Sequence, residues 1–269
     1  MYKKETFTAV ILFFILQICF AQSSFQNLEL GKNSLNYKGN PLKATDRKSL
    51  AFSDKGAWFG FGFLEQSEMQ GGFSGPFLMT EQNGVWLSSS FISLHLTDKN
   101  EQELIDWKTA LVNQNSYNSH LEQEFQNEKL EVKQQLVFSS GHSAIQKTSI
   151  TNRSSKTITL YPIYNSKTYL DNMQLSTEGQ FLKLVSSKSN AVGYIQFFNE
   201  GIDIVITKDS FTAKTNKLTL KPNETKEIVV SQIYIFPQYD WKKENENLAK
   251  IQFNTVLKDT KKEKENQLA

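Results

Sequence analysis

The sequence predicts an all-β fold, a β-sandwich or barrel, on three observations. Apolar and polar residues alternate in stretch after stretch between Leu28 and Pro237. Aromatics are plentiful, with 20 Phe, 9 Tyr and 4 Trp against only 5 Pro, and ring side chains favour the half-buried surface of a sheet. Clusters of Asn, Gly, Ser and Pro punctuate the alternation at short intervals, as turns must.

The elements follow in order. Lys3-Lys4, an apolar run from Ala9 to Phe20 broken only by Gln17, and Ala21-Gln22 have the plan of a secretory signal peptide over residues 1–21, cleaved after Ala21. The run is shorter than the roughly 20 apolar residues that span a bilayer. Lipoprotein processing at Cys19, the only cysteine, is the rival reading, disfavoured by the bulky Leu16-Gln17-Ile18 before it. The mature chain then starts at Gln22 without a cysteine, outside the cytoplasm, periplasmic or secreted. Disulfides and thiolate metal clusters are excluded from it.

Glu81-Gln82-Asn83-Gly84 offers a hairpin turn, and Val85–Leu96 reads as the strand after it. Tyr117, Ser119, Leu121, Gln123 and Phe125 alternate with polar neighbours, as do Leu130, Val132, Gln134, Leu136 and Phe138. Strands are further expected at Ala144–Thr151, Thr157–Tyr164, Gln180–Val185, Ala191–Phe198, Ile202–Thr207, Leu218–Lys221 and Glu227–Phe236. Asp98–Ile105 has the acidic start of a short helix, with a loop as its alternative. After Pro237 the alternation stops. Tyr239–Ala269 is rich in Lys, Glu and Asn, with Ala249, Phe253, Val256 and Leu257 on one helical stripe. Lys261–Asn266 has nothing apolar to bury, and so weak a stripe needs another surface to hold it. The net charge of +2 provides no field for nucleic acid or an anionic membrane.

Phe52–Phe77 is the unusual segment. It holds six of the 13 glycines and seven aromatics. Two readings are open: a tightly packed core or domain interface, and a ligand surface whose rings stack on the C–H face of a sugar. The candidate residues under either reading are Trp58, Phe59, Phe61, Gly71, Gly72 and Phe73. A nucleotide loop is a poor fit, because Gly60-Phe61-Gly62 has no third glycine and no Gly-Lys-Ser/Thr occurs.

Gly56-Ala57-Trp58-Phe59-Gly60, then Met69-Gln70-Gly71-Gly72-Phe73-Ser74-Gly75-Pro76 and Leu78-Met79-Thr80-Glu81, resembles the N-terminal domain of bacterial glycoside hydrolase family 63 enzymes of the periplasmic α-glucosidase type. The likeness is specific over residues 50–98 and thinner to about 237. It implies a large twisted two-sheet antiparallel β-sandwich, a super-β-sandwich, over residues 22–237. It further implies a helical linker over 238–269, ahead of an (α/α)6 barrel that carries the family's two catalytic carboxylates. Those carboxylates have no counterparts here. The expectation is therefore a non-catalytic domain with a catalytic barrel as partner, in a longer or separately encoded chain, and with an α-glucoside oligosaccharide as ligand. A stand-alone extracytoplasmic carbohydrate-binding protein is the rival.

The residues themselves offer little chemistry. An inverting glycosidase needs two carboxyl groups roughly 6.5–9.5 Å apart. Asp54, Glu65, Glu68 and Glu81 surround the glycine–aromatic segment and read as solvated turn acids. His95, His120 and His142 lack metal-ligand spacing, so no metal or cofactor is expected.

Overall fold

The computed structural model describes residues 25–79, 84–198, 201–250 and 252–269. The signal-peptide reading and the Glu81–Asn83 and Asn199-Glu200 turns lie outside these residues. A short helix α1 (Gln26–Leu30) is followed by irregular chain up to the first strand. β1 (Phe59–Gly62), β2 (Ser74–Leu78) and β3 (Val85–Trp86) form a small sheet. Next come β4 (Ser93–Thr97), a single helical turn α2 (Trp107–Ala110), β5 (Leu111–Ser116), β6 (Leu121–Gln126), β7 (Leu130–Phe138), β8 (Ser143–Asn152) and β9 (Ile158–Lys167). The remaining strands are β10 (Met173–Glu178), β11 (Phe181–Ser186), β12 (Val192–Phe197), β13 (Asp203–Ile206), β14 (Ser210–Lys214), β15 (Leu218–Leu220) and β16 (Thr225–Ile235). Two helices close the chain, α3 (Trp241–Lys250) and α4 (Phe253–Leu268).

Eight strands form one large sheet in the order β10-β11-β12-β16-β8-β7-β6-β5. A second sheet runs β13-β14-β9-β15, with β4 also on β9. The pairings between named strands are antiparallel. The two sheets meet over one continuous core. Phe125, Leu136, Leu184, Ile195 and Val230 of the large sheet join Leu94, Leu160, Tyr164 and Phe211 of the second. Contact across the layers is direct, with the Tyr164 and Phe197 rings 5.0 Å apart. The fold is the all-β sandwich with short C-terminal helices that the alternation and the resemblance predict.

Several details differ from the sequence reading. Val85–Leu96 is not one strand; the chain leaves the small sheet at Trp86 and joins the second at Ser93. Of the two readings of Asp98–Ile105 the loop holds, because Asp98 Oδ1 accepts the Asn100 and Gln102 amides at 2.7 and 3.0 Å and curls the chain into a turn. β5, β10 and β14 are strands that the pattern does not predict. Residues expected to begin a strand at Tyr117 instead turn, with the Tyr117 amide donating to His120 O at 2.9 Å.

A further departure concerns the C-terminal stripe, which the sequence leaves without a surface of its own to pack on. Phe253 and Leu257 are buried, Val256 is half-buried, and Leu248 takes the inward place expected of Ala249, which is exposed. They pack on the outer face of the large sheet against Val137, Ile145, Ile233 and Ile235. Trp241 stacks on Tyr194 at 3.9 Å between ring centroids. Burying side chains of this kind contributes about 1.5–3 kcal/mol each, enough to order helices that are marginal alone. The charged end is also engaged. Glu265 accepts the Asn27 and Leu28 amides at 2.9 Å each, which ties α4 to α1. The surface that the stripe needs is the protein's own sheet.

Candidate functional site

The glycine–aromatic segment divides into a buried part and a single exposed ring. Phe59 and Phe61 on β1 are buried, and Phe59 sits 5.2 Å from Phe138 and 4.9 Å from Tyr234 between ring centroids. Phe73 is buried 5.9 Å from Phe63. Gly71 and Gly72 lie against the neighbouring backbone. A Cβ on Gly71 would stand 2.1 Å from Leu94 O, and one on Gly72 would stand 2.3 Å from Ile92 O. Trp58, 61% exposed, is the member of the six candidates that faces outward.

A row of glutamines explains why the Gly71-Gly72 backbone is drawn so deep. Gln114, Gln123 and Gln134 stand side by side on β5, β6 and β7, on the inward face. Gln134 Nε2 donates to Gly71 O at 2.9 Å, and Gln123 Nε2 donates to Gly72 O at 3.0 Å and to Gln134 Oε1 at 2.8 Å. Gln114 Nε2 donates to Leu64 O at 3.0 Å. Loop carbonyls are thereby satisfied inside the core, where an unpaired one would be costly, and Gly71 O also accepts from Leu94 N of β4. The signal was present in the sequence, since Gln123 and Gln134 fall in register with Leu121, Phe125 and Leu136.

Beside Trp58 opens a cleft of about 410 Å³. Four pieces of chain build it: the Lys55-Gly56 turn ahead of β1, the Gly141-His142 turn between β7 and β8, the Tyr234–Phe236 end of β16, and Gln238-Tyr239 just beyond. Tyr239 is 49% exposed, and its ring lies 4.4 Å from that of His142. Tyr234 forms the floor, its amide donating to His142 O at 2.9 Å and its hydroxyl to Gln232 Oε1 at 3.0 Å. Burial pushes the Tyr234 phenol far above its ordinary range, so it is a neutral donor. Exposed rings beside Lys55, His142 and Gln238 make a surface suited to stacking and hydrogen bonding. No carboxylate is among the described residues that line it.

None of the described candidate acids lines the cleft. Asp54 is nine-tenths buried and pairs with Lys264 at 2.6 Å. Glu65 is exposed and accepts from Asn40 Nδ2 at 3.2 Å, Glu68 is exposed, and Glu81 lies outside the described residues. The three histidines are apart. His95 bonds Glu103 and Asn165, and the Glu103 carboxylate raises its pKa. His142 lies in the cleft. His120 is buried at the Tyr117 end of the large sheet, stacked on Tyr117 at 4.5 Å. Its Nε2 is 3.8 Å from Glu122 Oε2, too far for a hydrogen bond, and burial lowers its pKa. Burial works against the Glu122 charge, yet His120, Lys133 and Gln135 around it outweigh this and hold its pKa at about 2. Among the described residues no group of three His, Cys, Asp or Glu could hold a metal ion, and no helix is long and apolar enough to cross a membrane.

The fold and the cleft define the class of the protein as a two-sheet antiparallel β-sandwich with a glycine-rich inner loop and an aromatic cleft at one end. The chain belongs to the family described as "Glucosidase YgjK, N-terminal", whose model matches residues 39–179. No curated protein sequence matches it. Among solved structures it is similar to a putative kojibiose phosphorylase from the human microbiome, with a TM-score of 0.54 at 11% identity over 77% of this chain and 34% of that one. The chain thus spans about a third of the length of that protein. A putative aldose 1-epimerase from Escherichia coli K12 matches with a TM-score of 0.46 at 8% identity, over 67% of this chain and 97% of that one. At 11% identity the likeness to the phosphorylase is one of fold alone.

Proposed function

We propose that this chain is the non-catalytic N-terminal domain of an exported, glycoside hydrolase family 63-like α-glucosidase. It supports a catalytic barrel and presents the Trp58 cleft to an α-glucoside oligosaccharide. The observation that carries this reading is the exposure of Trp58, in a segment whose other rings are buried or half-buried, beside the exposed Tyr239 on one cleft. Exposed aromatic rings are the usual means of gripping the apolar face of a sugar. Family membership supports the enzyme class, and the position of Asp54, Glu65 and Glu68 outside the cleft lining, with Asp54 tied to Lys264, supports a role without bond cleavage. The purified chain is expected not to hydrolyse kojibiose, nigerose, trehalose or an aryl α-glucoside. Calorimetry with α-glucoside oligosaccharides should show weak binding that Trp58→Ala abolishes. Turnover that tracks the protein would overturn the non-catalytic role, and binding indifferent to Trp58→Ala would overturn the cleft.

A stand-alone carbohydrate-binding protein is the second reading. The docking of α3 and α4 on the protein's own sheet favours it, because the tail then needs no outside partner to order it. Co-purification with a separately encoded barrel separates the two.

A further inference from the structure

We infer that the C-terminal helix α4 holds the turn that presents Trp58, with Lys264 and Glu263 as positioning residues for the cleft. Two consecutive residues of the turn, Lys55 at φ 53° and Gly56 at φ 72°, occupy the left-handed region. Lys55 carries a Cβ there, a conformation that persists only when its surroundings over-determine it. α4 supplies that restraint through two adjacent ion pairs. Lys264 Nζ meets Asp54 Oδ1 at 2.6 Å, and Glu263 Oε2 meets Lys55 Nζ at 3.0 Å. The first pair is largely withdrawn from solvent, with side chains 17% and 9% exposed. Asp54 Oδ1 also accepts the Lys55 amide at 2.8 Å and Oδ2 has no partner, so Lys264 supplies the countercharge for a buried carboxylate. The helix is fixed independently, by Leu257 in the apolar seam and by Glu265 on the α1 amides. It therefore acts as a post to which the turn is tied, and Lys55 and Gly56 line the cleft directly.

The test reads the turn without any ligand. Lys264→Met should speed exchange of the Ala57 amide, which donates to Asp54 O at 3.0 Å, by about tenfold, while amides of β7 and β8 stay unchanged. The 19F resonance of 5-fluoro-Trp58, assigned by Trp58→Phe, should shift or broaden in the same variant, and Lys264→Arg should restore both signals. Ala57 exchange unchanged in Lys264→Met overturns the inference. Should that variant fail to fold, Glu263→Gln at its more exposed site should speed the same amide by a smaller factor, and no change there overturns the inference equally. The consequence for ligands rests on the proposed function. Intact coupling with no sugar bound would sink that reading alone, and sugar binding with an indifferent turn would sink this one alone.

Discussion

Gly71→Ala separates a packing role from a ligand role for the glycine pair. Its Cβ would stand 2.1 Å from Leu94 O and 2.7 Å from the Trp107 ring. Neither neighbour can yield cheaply, since Leu94 pairs with Tyr164 in the second sheet and Trp107 packs on Phe125 at 4.9 Å. Gly71 O accepts from Leu94 N at 3.0 Å and from Gln134 Nε2 at 2.9 Å, so a loop that shifts outward gives up both. Overpacking costs about 1–3 kcal/mol, and each lost hydrogen bond adds about 1 kcal/mol, giving a total of roughly 3–5 kcal/mol. For a chain of this size that is a fall in Tm of roughly 6–20 °C. Urea unfolding followed by Trp fluorescence measures it, with Gly56→Ala as control. Gly56 has open space around its Cβ, so only the left-handed φ of 72° is penalised, at about 1–2 kcal/mol. If Gly71→Ala unfolds at the wild-type midpoint and only ligand binding suffers, the packing account is wrong.

Acid should destabilise the protein through His120. Its folded pKa is below the ordinary value of 6.5, so the unfolded chain takes up the proton first and stability falls as pH drops below 6.5. Glu122 is depressed to about 2, so its contribution is present above 4.5 and is lost as pH falls towards 2. His120→Asn should therefore flatten the stability profile between pH 7 and 5, read by urea midpoints, and an unchanged slope would refute this. The C-terminal helices should be protected in hydrogen exchange, and Phe253→Ala should release them at a cost of about 3–5 kcal/mol, read by urea unfolding, while the β7 and β8 amides remain slow. N-terminal sequencing of exported protein should begin at Gln22; an intact Met1 would refute the leader, and a lipidated Cys19 would favour the rival processing.

Much of the fold was legible in the sequence because its signals are local. Alternation in Leu130–Phe138 and Glu227–Ile235 is written in adjacent residues, and a period of two specifies a half-buried strand wherever it lies. The glycine–aromatic blocks pointed to the family. What local pattern could not supply was the partner of each surface. The Ala249–Leu257 stripe reads as unpartnered until Val137, Ile145 and Ile233 are placed on the outer face of one sheet, residues that belong to strands more than a hundred positions back or to the far end of the chain's last strand. Phe59 and Trp58 are neighbours of similar hydrophobicity, yet one ring is in the core and the other in water, because pairing with β2 fixes which side of β1 faces Phe138. The depth of Gly71-Gly72 depends on three glutamines from three strands brought into one row by sheet register. Composition and periodicity determine which elements form. Register and layer order, set by contacts distant in sequence, decide which of their side chains remain available to another molecule.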